Sequence, residues 1–116
     1  MIQELIDNYA DLHDALVTNI NYYNGYNFTT NSIEETSLEI SLSCYNIIRE
    51  YKRDLITIYC TGINNFIYEK WDGMIFETLM KEENGEIILD FASETDHDYF
   101  SVKCQKLTYR VLEQEK

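Results

Sequence analysis

The sequence predicts an α+β fold that is mainly β: a short N-terminal helix followed by about six antiparallel strands. Apolar residues recur at helical spacing only at the N-terminus, and from residue 16 onward they alternate with polar residues. This alternation is typical of antiparallel strands that bury one face. Asn-Gly dipeptides, which favour tight hairpin turns, interrupt it twice. The strands fit a meander, a sandwich-like pair of sheets or one curved sheet.

The N-terminal helix is predicted over residues 2–13. Ile2, Leu5, Ile6 and Tyr9 fall on one stripe, and acidic and polar residues occupy the other positions. The first strand begins at Leu16 and ends at the turn Asn24-Gly25. Residues 26–36 are predicted to form a loop, with a short edge strand over residues 26–30 as an option.

Two strands with clear patterns follow this loop. Leu38, Ile40, Leu42 and Cys44 alternate with small or acidic polar residues, which predicts a strand with one buried face. Residues 49–54 are charged and are predicted to form a turn. Residues 55–61 are the most apolar, so this strand is expected at the centre of the sheet. Gly62 predicts a bend or bulge at its end.

The C-terminal half predicts a hairpin and a last strand. The apolar residues within residues 71–80 fit either a helix or a strand. A turn is predicted at residues 83–86, and a hairpin there needs a strand on each side of it. We therefore predict a strand over residues 71–80 that pairs with residues 87–91. After a polar loop, the last strand begins at Phe100. Its apolar phase slips by one residue near Gln105, which predicts a β-bulge.

The whole chain, residues 1–116, is predicted to be a single domain. Its length is close to the usual size of one domain, and hydrophobic residues make up 45% of it, which is enough for one core. No apolar stretch approaches the length of a membrane span, and the N-terminus carries acids where a signal peptide needs positive charge. We therefore expect a cytoplasmic protein. Cys44, Cys60 and Cys104 are in phase with buried strand faces and are predicted to be structural thiols.

The formal net charge of −12 restricts the partners that the chain can bind. Binding to nucleic acid needs clustered Lys and Arg, and so does docking on an anionic membrane surface. We therefore expect no nucleic-acid partner and no membrane partner. An acidic surface selects a basic protein partner, and it also keeps a chain soluble whatever its function.

Motifs that carry chemistry are weak in this sequence. The His13-Asp14 dipeptide lacks the further His and Asp ligands of metal-dependent phosphohydrolases, and we expect it to form local hydrogen bonds at the end of the helix. The run Asp96-His97-Asp98 lacks the glycine and the spaced acids of a calcium loop and is expected to be a solvated turn. The sequence predicts no catalytic residue, no metal ligand and no cofactor. An enzyme that uses His13 or His97 with nearby acids is kept as a third hypothesis.

Aromatic and acidic residues at the surface are the best candidates for function. Tyrosine and tryptophan provide large contact areas at low entropic cost and dominate binding hot spots. The chain contains ten tyrosines and one tryptophan among many acids. The residues predicted to bind a partner are Tyr22, Tyr23, Tyr26, Glu34, Glu35, Tyr68, Trp71, Asp96 and Asp98.

The order of these features resembles that of small bacterial β-rich domains that include immunity proteins of polymorphic toxin systems. The segments that carry the resemblance are LHDA (12–15), ITIYCTGINNF (56–66) and FSVKCQKLT (100–108). The resemblance implies a non-enzymatic protein that binds and neutralises a toxin domain. It assigns no individual site residue.

Besides an enzyme, the sequence is consistent with two other functions. The first is a non-enzymatic protein-binding domain, an immunity protein that neutralises a basic toxin domain. The second is a small-molecule or lipid binder on a curved antiparallel sheet. The outer face of residues 55–61, which combines apolar and polar side chains, would form part of its binding site.

Overall fold

Residues 2–69 and 73–116 are described by a computed structural model of the protein. Within these ranges the chain forms one α-helix and nine β-strands. In chain order they are α1 (Ile2–Tyr9), β1 (Ala15–Tyr23), β2 (Tyr26–Asn27), β3 (Ser32–Ile33), β4 (Ser37–Asn46), β5 (Lys52–Tyr68), β6 (Met74–Ile75), β7 (Leu79–Glu83), β8 (Glu86–Asp90) and β9 (Phe100–Gln114). The predicted fold class, a mainly β chain with a short N-terminal helix and antiparallel strands, is confirmed.

Seven of the strands in the described ranges form one antiparallel sheet in the order β6-β1-β4-β5-β9-β8-β7. This sheet curls into a half-barrel, so the chain adopts the curved single sheet among the three predicted arrangements. The other two strands, β2 and β3, pair only with each other. The count exceeds the predicted six because several strands are only two residues long.

The core lies between one face of the curled sheet and α1. The predicted alternation in β4 is confirmed, since Leu38, Ile40 and Leu42 are fully buried and the residues between them are partly exposed. Leu5 and Tyr9 of α1 belong to the same buried cluster. Burial of a Leu or Ile side chain contributes roughly 1.5–3 kcal/mol relative to exposure. The helix and the alternating strands therefore stabilise one another.

The helix ends at Tyr9, earlier than the predicted end at residue 13. Ala10, Leu12 and Asp14 have positive φ angles of 53°, 59° and 62°, which a right-handed helix does not allow. These turns place Leu12 in the core, where it is 1% exposed. Leu5 and Tyr9 of the predicted stripe are buried, and Leu12 joins them in the core from a turn and not from the helix.

The prediction of a charged turn at residues 49–54 was wrong for residues 52–54. The turn spans residues 47–51, and β5 begins at Lys52. Asp54 pairs with Cys44 of β4 and is 1% exposed, because its carboxylate is hydrogen-bonded inside the protein. A charged residue with buried partners can occupy a strand, and its charge alone does not reveal this.

β5 continues through Gly62 as one strand of 17 residues. The predicted irregularity is confirmed, because Gly62 has a φ of +66° and the register of β5 with β9 shifts between Ile63 and Asn65. The phase slip predicted in β9 is also observed, since Gln105 and Lys106 are both exposed between buried residues. The shift in pairing itself lies in β5, however, and not at Gln105.

The strand predicted over residues 71–80 is divided into two short strands. β6 pairs with β1 at one edge of the sheet, and β7 pairs with β8 at the opposite edge. Residues 76–78 connect the two edges. The predicted hairpin is confirmed, and Asn84 and Gly85 at its turn both have the positive φ angles that suit twisted strands. Trp71 lies outside the described residues.

The three cysteines are free and buried, as predicted. Burial, together with the nearby Asp54 carboxylate, raises the pKa of Cys44 to about 12, so this thiol stays protonated at neutral pH. The described part of the chain contains no helix with the length and apolar character of a membrane span.

Candidate partner-binding surface

Residues 24–36, between β1 and β4, fold into a small hairpin outside the curled sheet. Tyr26 pairs with Ile33 and Asn27 pairs with Ser32. The short edge strand that the sequence allowed here is observed, although it is only two residues long. We call residues 24–36 the aromatic hairpin.

Hydrogen bonds from side chains stabilise the aromatic hairpin. The Tyr23 hydroxyl donates to the Tyr26 carbonyl oxygen at 3.1 Å, and the Tyr26 hydroxyl donates to Oδ1 of Asn31 at 3.0 Å. Nδ2 of Asn27 donates to Oε1 of Glu34 at 3.0 Å. Three residues predicted from the sequence as partner-binding candidates thus also hold the hairpin together.

Gly25 closes the base of the hairpin. Its carbonyl oxygen accepts a hydrogen bond from the Glu34 amide, and its φ of +91° favours glycine. A Cβ atom at this position would lie 2.2 Å from the Glu34 carbonyl oxygen. The two ends of the hairpin can therefore approach this closely only because residue 25 has no side chain.

Two apolar side chains of the aromatic hairpin face solvent. Phe28 is 86% exposed and Ile33 is 83% exposed. An ordered surface loop that presents such side chains is a frequent site of binding. Neither residue is among the partner-binding candidates predicted from the sequence. The available signal was their position in a polar, turn-forming segment, where no long strand or helix could bury them.

An aromatic groove adjoins the hairpin. Tyr22, near the end of β1, stacks on Phe66 of β5 with ring centroids 5.6 Å apart and an interplanar angle of 25°. Phe66, Tyr68 and residues 17–20 of β1 line a cavity of about 420 Å³. Tyr68 also packs edge-on against Phe100, with ring centroids 5.1 Å apart. The groove therefore extends the aromatic surface from the hairpin to the end of β5.

The structure brings most of the predicted partner-binding residues into one region. Tyr22 and Tyr23 are the last two residues of β1, and Tyr68 lines the aromatic groove. The aromatic hairpin contains three more of the predicted residues: Tyr26, Glu34 and Glu35. Trp71 cannot be placed, because it is not among the described residues. The fold therefore brings six of the predicted candidates close together, beside the two most exposed apolar residues, which were not among them.

Asp96 and Asp98 lie apart from the hairpin, in the loop between β8 and β9. Both are exposed, as expected of a solvated turn. The loop is nevertheless fixed to the end of β5, because Nε2 of His97 lies 2.6 Å from Oε2 of Glu69. The Glu69 amide also donates to the Tyr99 carbonyl oxygen at 2.7 Å. These two acids therefore form a separate acidic patch beside β5.

Charge is segregated along the chain. Residues 1–48 contain seven acids and no Lys or Arg. Two strands in the middle of the sheet, β5 and β9, contain five of the nine Lys and Arg residues: Lys52, Arg53, Lys103, Lys106 and Arg110. The charged side chains from α1 to β4, which include Glu34 and Glu35 of the aromatic hairpin, are therefore all negative apart from any charge on His13.

His13 forms a local contact with Asp14, as the sequence predicts, and also a hydrogen bond to a residue 63 positions away, which the sequence did not predict. Its Nδ1 donates to the Phe76 carbonyl oxygen at 2.5 Å, and its Nε2 lies 3.4 Å from Oδ2 of Asp14. The hydrogen bond to Phe76 and the nearby Asp14 carboxylate raise the pKa of His13. His13 thus links the turn after α1 to the connection between β6 and β7. In the ranges that the structure describes, no group of three or more His, Cys, Asp or Glu residues is arranged to hold a metal ion.

No protein-family model, no curated protein and no solved structure matches this chain significantly. Function is therefore inferred from the residues of the chain itself.

Proposed function

We propose that this chain is a non-enzymatic protein-binding domain that uses the aromatic hairpin and the acids around it to bind a basic protein. In keeping with the resemblance to immunity proteins of polymorphic toxin systems, the partner is a toxin domain whose active site the bound chain covers. Such a protein acts in the cytoplasm. The observation that carries the proposal is the exposure of Phe28 and Ile33 on a hairpin that hydrogen bonds hold in place.

The exposed apolar side chains support binding because their burial on a partner is favourable. Moving a Phe or Ile side chain from water into a packed interface contributes roughly 1.5–3 kcal/mol. Phe28 is almost fully exposed in the free chain, so nearly all of this free energy would be gained on binding. The hydrogen bonds of Tyr23 and Tyr26 order the hairpin beforehand, which lowers the entropic cost of association.

The charge around the hairpin supports a basic partner. Glu34 and Glu35 are exposed directly after Ile33, and the sequence contains no Lys or Arg before Arg49. Complementary charge accelerates association and disfavours acidic partners, while buried apolar anchors supply most of the affinity. A basic toxin domain with an apolar pocket for Phe28 fits both features.

Affinity purification of the tagged chain from its native host, with mass spectrometry of the bound proteins, tests the proposal. We expect one basic partner at equal stoichiometry. The double variant Phe28→Ala, Ile33→Ala should bind this partner at least about 30-fold more weakly, because truncation of hot-spot residues costs about 2 kcal/mol or more.

The matched control is Ile48→Ala. Ile48 is 69% exposed, but it lies in the turn after β4, at the opposite end of that strand from the aromatic hairpin. This variant should bind the partner as the wild-type chain does. An acidic partner, or undiminished binding by the double variant, would contradict the proposal.

A small-molecule or lipid binder is a second candidate, and the aromatic groove favours it. The cavity of about 420 Å³ has the size of a small-molecule site, and Val17, Ile20 and Phe66 give it an apolar lining. The outer face of residues 55–61 has a smaller cavity of about 290 Å³ among mostly polar residues. Native mass spectrometry of the purified chain distinguishes the candidates, because a bound small molecule and no captured protein would favour the second.

A further inference from the structure

A second concave site lies at the opposite end of β4 from the aromatic hairpin. The cavity has a volume of about 460 Å³ and lies between the end of α1, the turns that follow it and the turn between β4 and β5. Its lining includes three aromatic rings and two carboxylates, those of Tyr9, Tyr45, Tyr51, Asp11 and Asp14. We call it the tyrosine pocket. None of the predicted partner-binding residues contributes to its lining.

The tyrosine pocket has a negative electrostatic environment. Asp11 and Asp14 supply two carboxylates against one imidazole in the lining, that of His13, and Tyr9, the last residue of α1, lines the cavity as well. The C-terminal end of a helix carries a partial negative charge, and the last turn of α1 contains no basic residue that would offset it. The carboxylates of Asp11 and Asp14 would therefore stabilise a cation in this cavity.

The tyrosine rings make the pocket suitable for an organic cation. The face of a tyrosine ring attracts an ammonium or guanidinium group within about 6 Å of its centre. Tyr45 is 39% exposed and Tyr51 is 67% exposed, so solvent reaches both rings. Tyr9 is buried, and its hydroxyl donates to Oδ2 of Asp54 at 2.7 Å, which fixes the inner wall.

Backbone hydrogen bonds connect the walls of the pocket. The Ile47 amide donates to the Asn8 carbonyl oxygen of α1 at 2.9 Å, and the Tyr51 amide donates to the Asn46 carbonyl oxygen at 2.9 Å. Tyr51 has a φ of 62°, which is rare for a bulky residue and is maintained here by its surroundings. The backbone at Tyr51 is thus fixed before a ligand binds, which lowers the entropic cost of binding.

We infer that the tyrosine pocket binds an alkylammonium or guanidinium group through the rings of Tyr45 and Tyr51 and the carboxylates of Asp11 and Asp14. This group occurs on Lys and Arg side chains of proteins and on free small amines. Nε2 of His13 lies 3.4 Å from Asp14, and a bound cation competes with it for that carboxylate. The pocket is separate from the aromatic hairpin, so it does not depend on the proposed function.

Titration of the purified full-length chain with methylguanidinium at neutral pH, followed by NMR, tests this inference. We expect saturable binding in the roughly millimolar range, with the largest shifts at Tyr45, Tyr51 and Asp14. N-methylurea has nearly the same shape but no charge, and it should cause no saturable shift. Equal binding of the two compounds would overturn the inference.

Two variants locate the site. Asp14→Asn removes a charge at a position with a φ of 62°, which Asn tolerates, and Tyr51→Leu removes an exposed aromatic face while keeping an apolar side chain. Each should weaken methylguanidinium binding at least about fivefold. Glu50→Gln is the control, because Glu50 adjoins Tyr51 but is not part of the lining. Wild-type affinity in both variants would also overturn the inference.

An arginine peptide distinguishes the two sources of the cation. If acetyl-Gly-Arg-Gly-amide binds at least about tenfold more tightly than methylguanidinium, the natural ligand is a protein side chain, because the pocket then also contacts the backbone around it. Equal or weaker binding indicates a free small amine. The Phe28→Ala, Ile33→Ala variant should bind methylguanidinium normally, which separates a failure here from a failure of the proposed function.

Discussion

The two connections at the ends of β4 both expose large apolar side chains, but they are stabilised in different ways. The aromatic hairpin precedes the strand and exposes Phe28, whereas the turn at residues 47–51 follows it and exposes Ile48. Hydrogen bonds among exposed groups hold the hairpin. The turn is instead connected to a buried carboxylate, that of Asp54.

The Asp54 side chain is fully buried and has partners on three elements. It accepts hydrogen bonds from the Tyr9 hydroxyl of α1 at 2.7 Å and from Nδ2 of Asn46 at 2.9 Å, and it forms an ion pair with Arg49 in the turn. Burial alone would raise the pKa of Asp54, but hydrogen bonds from Asn46, Tyr9 and Gln114 and the charge of Arg49 together outweigh it and lower the pKa. The helix, β4 and the turn therefore depend on one group.

This difference separates Asp54, which stabilises the fold, from the residues of the aromatic hairpin that we propose bind a protein partner. A change at Asp54 reaches α1 through Tyr9, so it alters the stability of the whole chain. A change in the aromatic hairpin alters contacts among exposed groups, so we expect it to affect binding without unfolding the chain. Substitutions at the two ends of β4 test this distinction.

The largest effect on stability is expected for Asp54→Asn. The amide cannot form an ion pair with Arg49, and removal of one partner of a buried ion pair costs about 3–5 kcal/mol. The midpoint of urea denaturation at neutral pH should fall accordingly. Glu50→Gln, which changes an exposed acid in the same turn, is the control and should cost less than about 0.5 kcal/mol. Equal midpoints for the two variants would show that Asp54 does not hold the turn.

Part of this stabilisation depends on pH. The pKa of Asp54 is lower in the folded chain than in the unfolded chain, where it is about 3.9. Its contribution is therefore complete above the unfolded pKa and is lost as the pH falls through the folded pKa. The difference in unfolding free energy between the wild-type chain and Asp54→Asn should therefore shrink as the pH falls from about 5 to well below 3.9. A constant difference over this range would mean that the pKa of Asp54 is the same in the folded and the unfolded chain.

A smaller, local effect is expected for Gly25→Ala. The new Cβ would meet the Glu34 carbonyl oxygen at 2.2 Å, and backbone strain at a positive φ costs about 1–3 kcal/mol. We expect faster hydrogen exchange of the Glu34 amide and loss of partner binding, with a smaller change in the urea midpoint than for Asp54→Asn. Gly85→Ala is the control, because φ is +77° there but a Cβ would meet nothing within 4 Å. Loss of partner binding in both variants would rule out the hairpin contact as the cause.

The smallest effect is expected for Tyr23→Phe. This change removes the hydroxyl that donates to the Tyr26 carbonyl oxygen, and such a hydrogen bond contributes about 0.5–1.5 kcal/mol. Hydrogen exchange in the hairpin should accelerate roughly two- to tenfold while the urea midpoint stays nearly constant. Tyr59→Phe, at the same 40% exposure on β5, should leave these exchange rates unchanged. Wild-type exchange rates in Tyr23→Phe would show that the hydroxyl does not stabilise the hairpin.

Much of the fold was predictable because the pattern that specifies it is local. Whether a residue of β4 faces the core follows from its neighbours two positions away. The burial of Asp54 was not predictable, because it depends on Tyr9, 45 residues away in the chain. The division of residues 71–80 into β6 and β7 was not predictable for the same reason. The two strands pair with opposite edges of the sheet, and the sequence of this segment does not show which strands form those edges.

The candidate surface was predictable in part for the same reason. Tyr22, Tyr23 and Tyr26 are close together in the sequence, and they remain close in the fold. Phe28 was missed, because an apolar residue is expected to be buried and only the whole fold shows that it is not. The tyrosine pocket was missed because it combines Asp14 with Tyr51 from a distant turn.

The connection between β6 and β7 has a geometric consequence for the whole sheet. If the seven strands lay flat, the outermost two would be about 29 Å apart, which is six spacings of about 4.8 Å. The chain from Ile75 to Leu79 takes four residue steps and reaches about 14 Å at most. Covalent connectivity therefore forbids a flat sheet as long as β6 stays on β1 and β7 stays on β8. Residues 76–78 limit how far the half-barrel can open, whatever side chains fill its core.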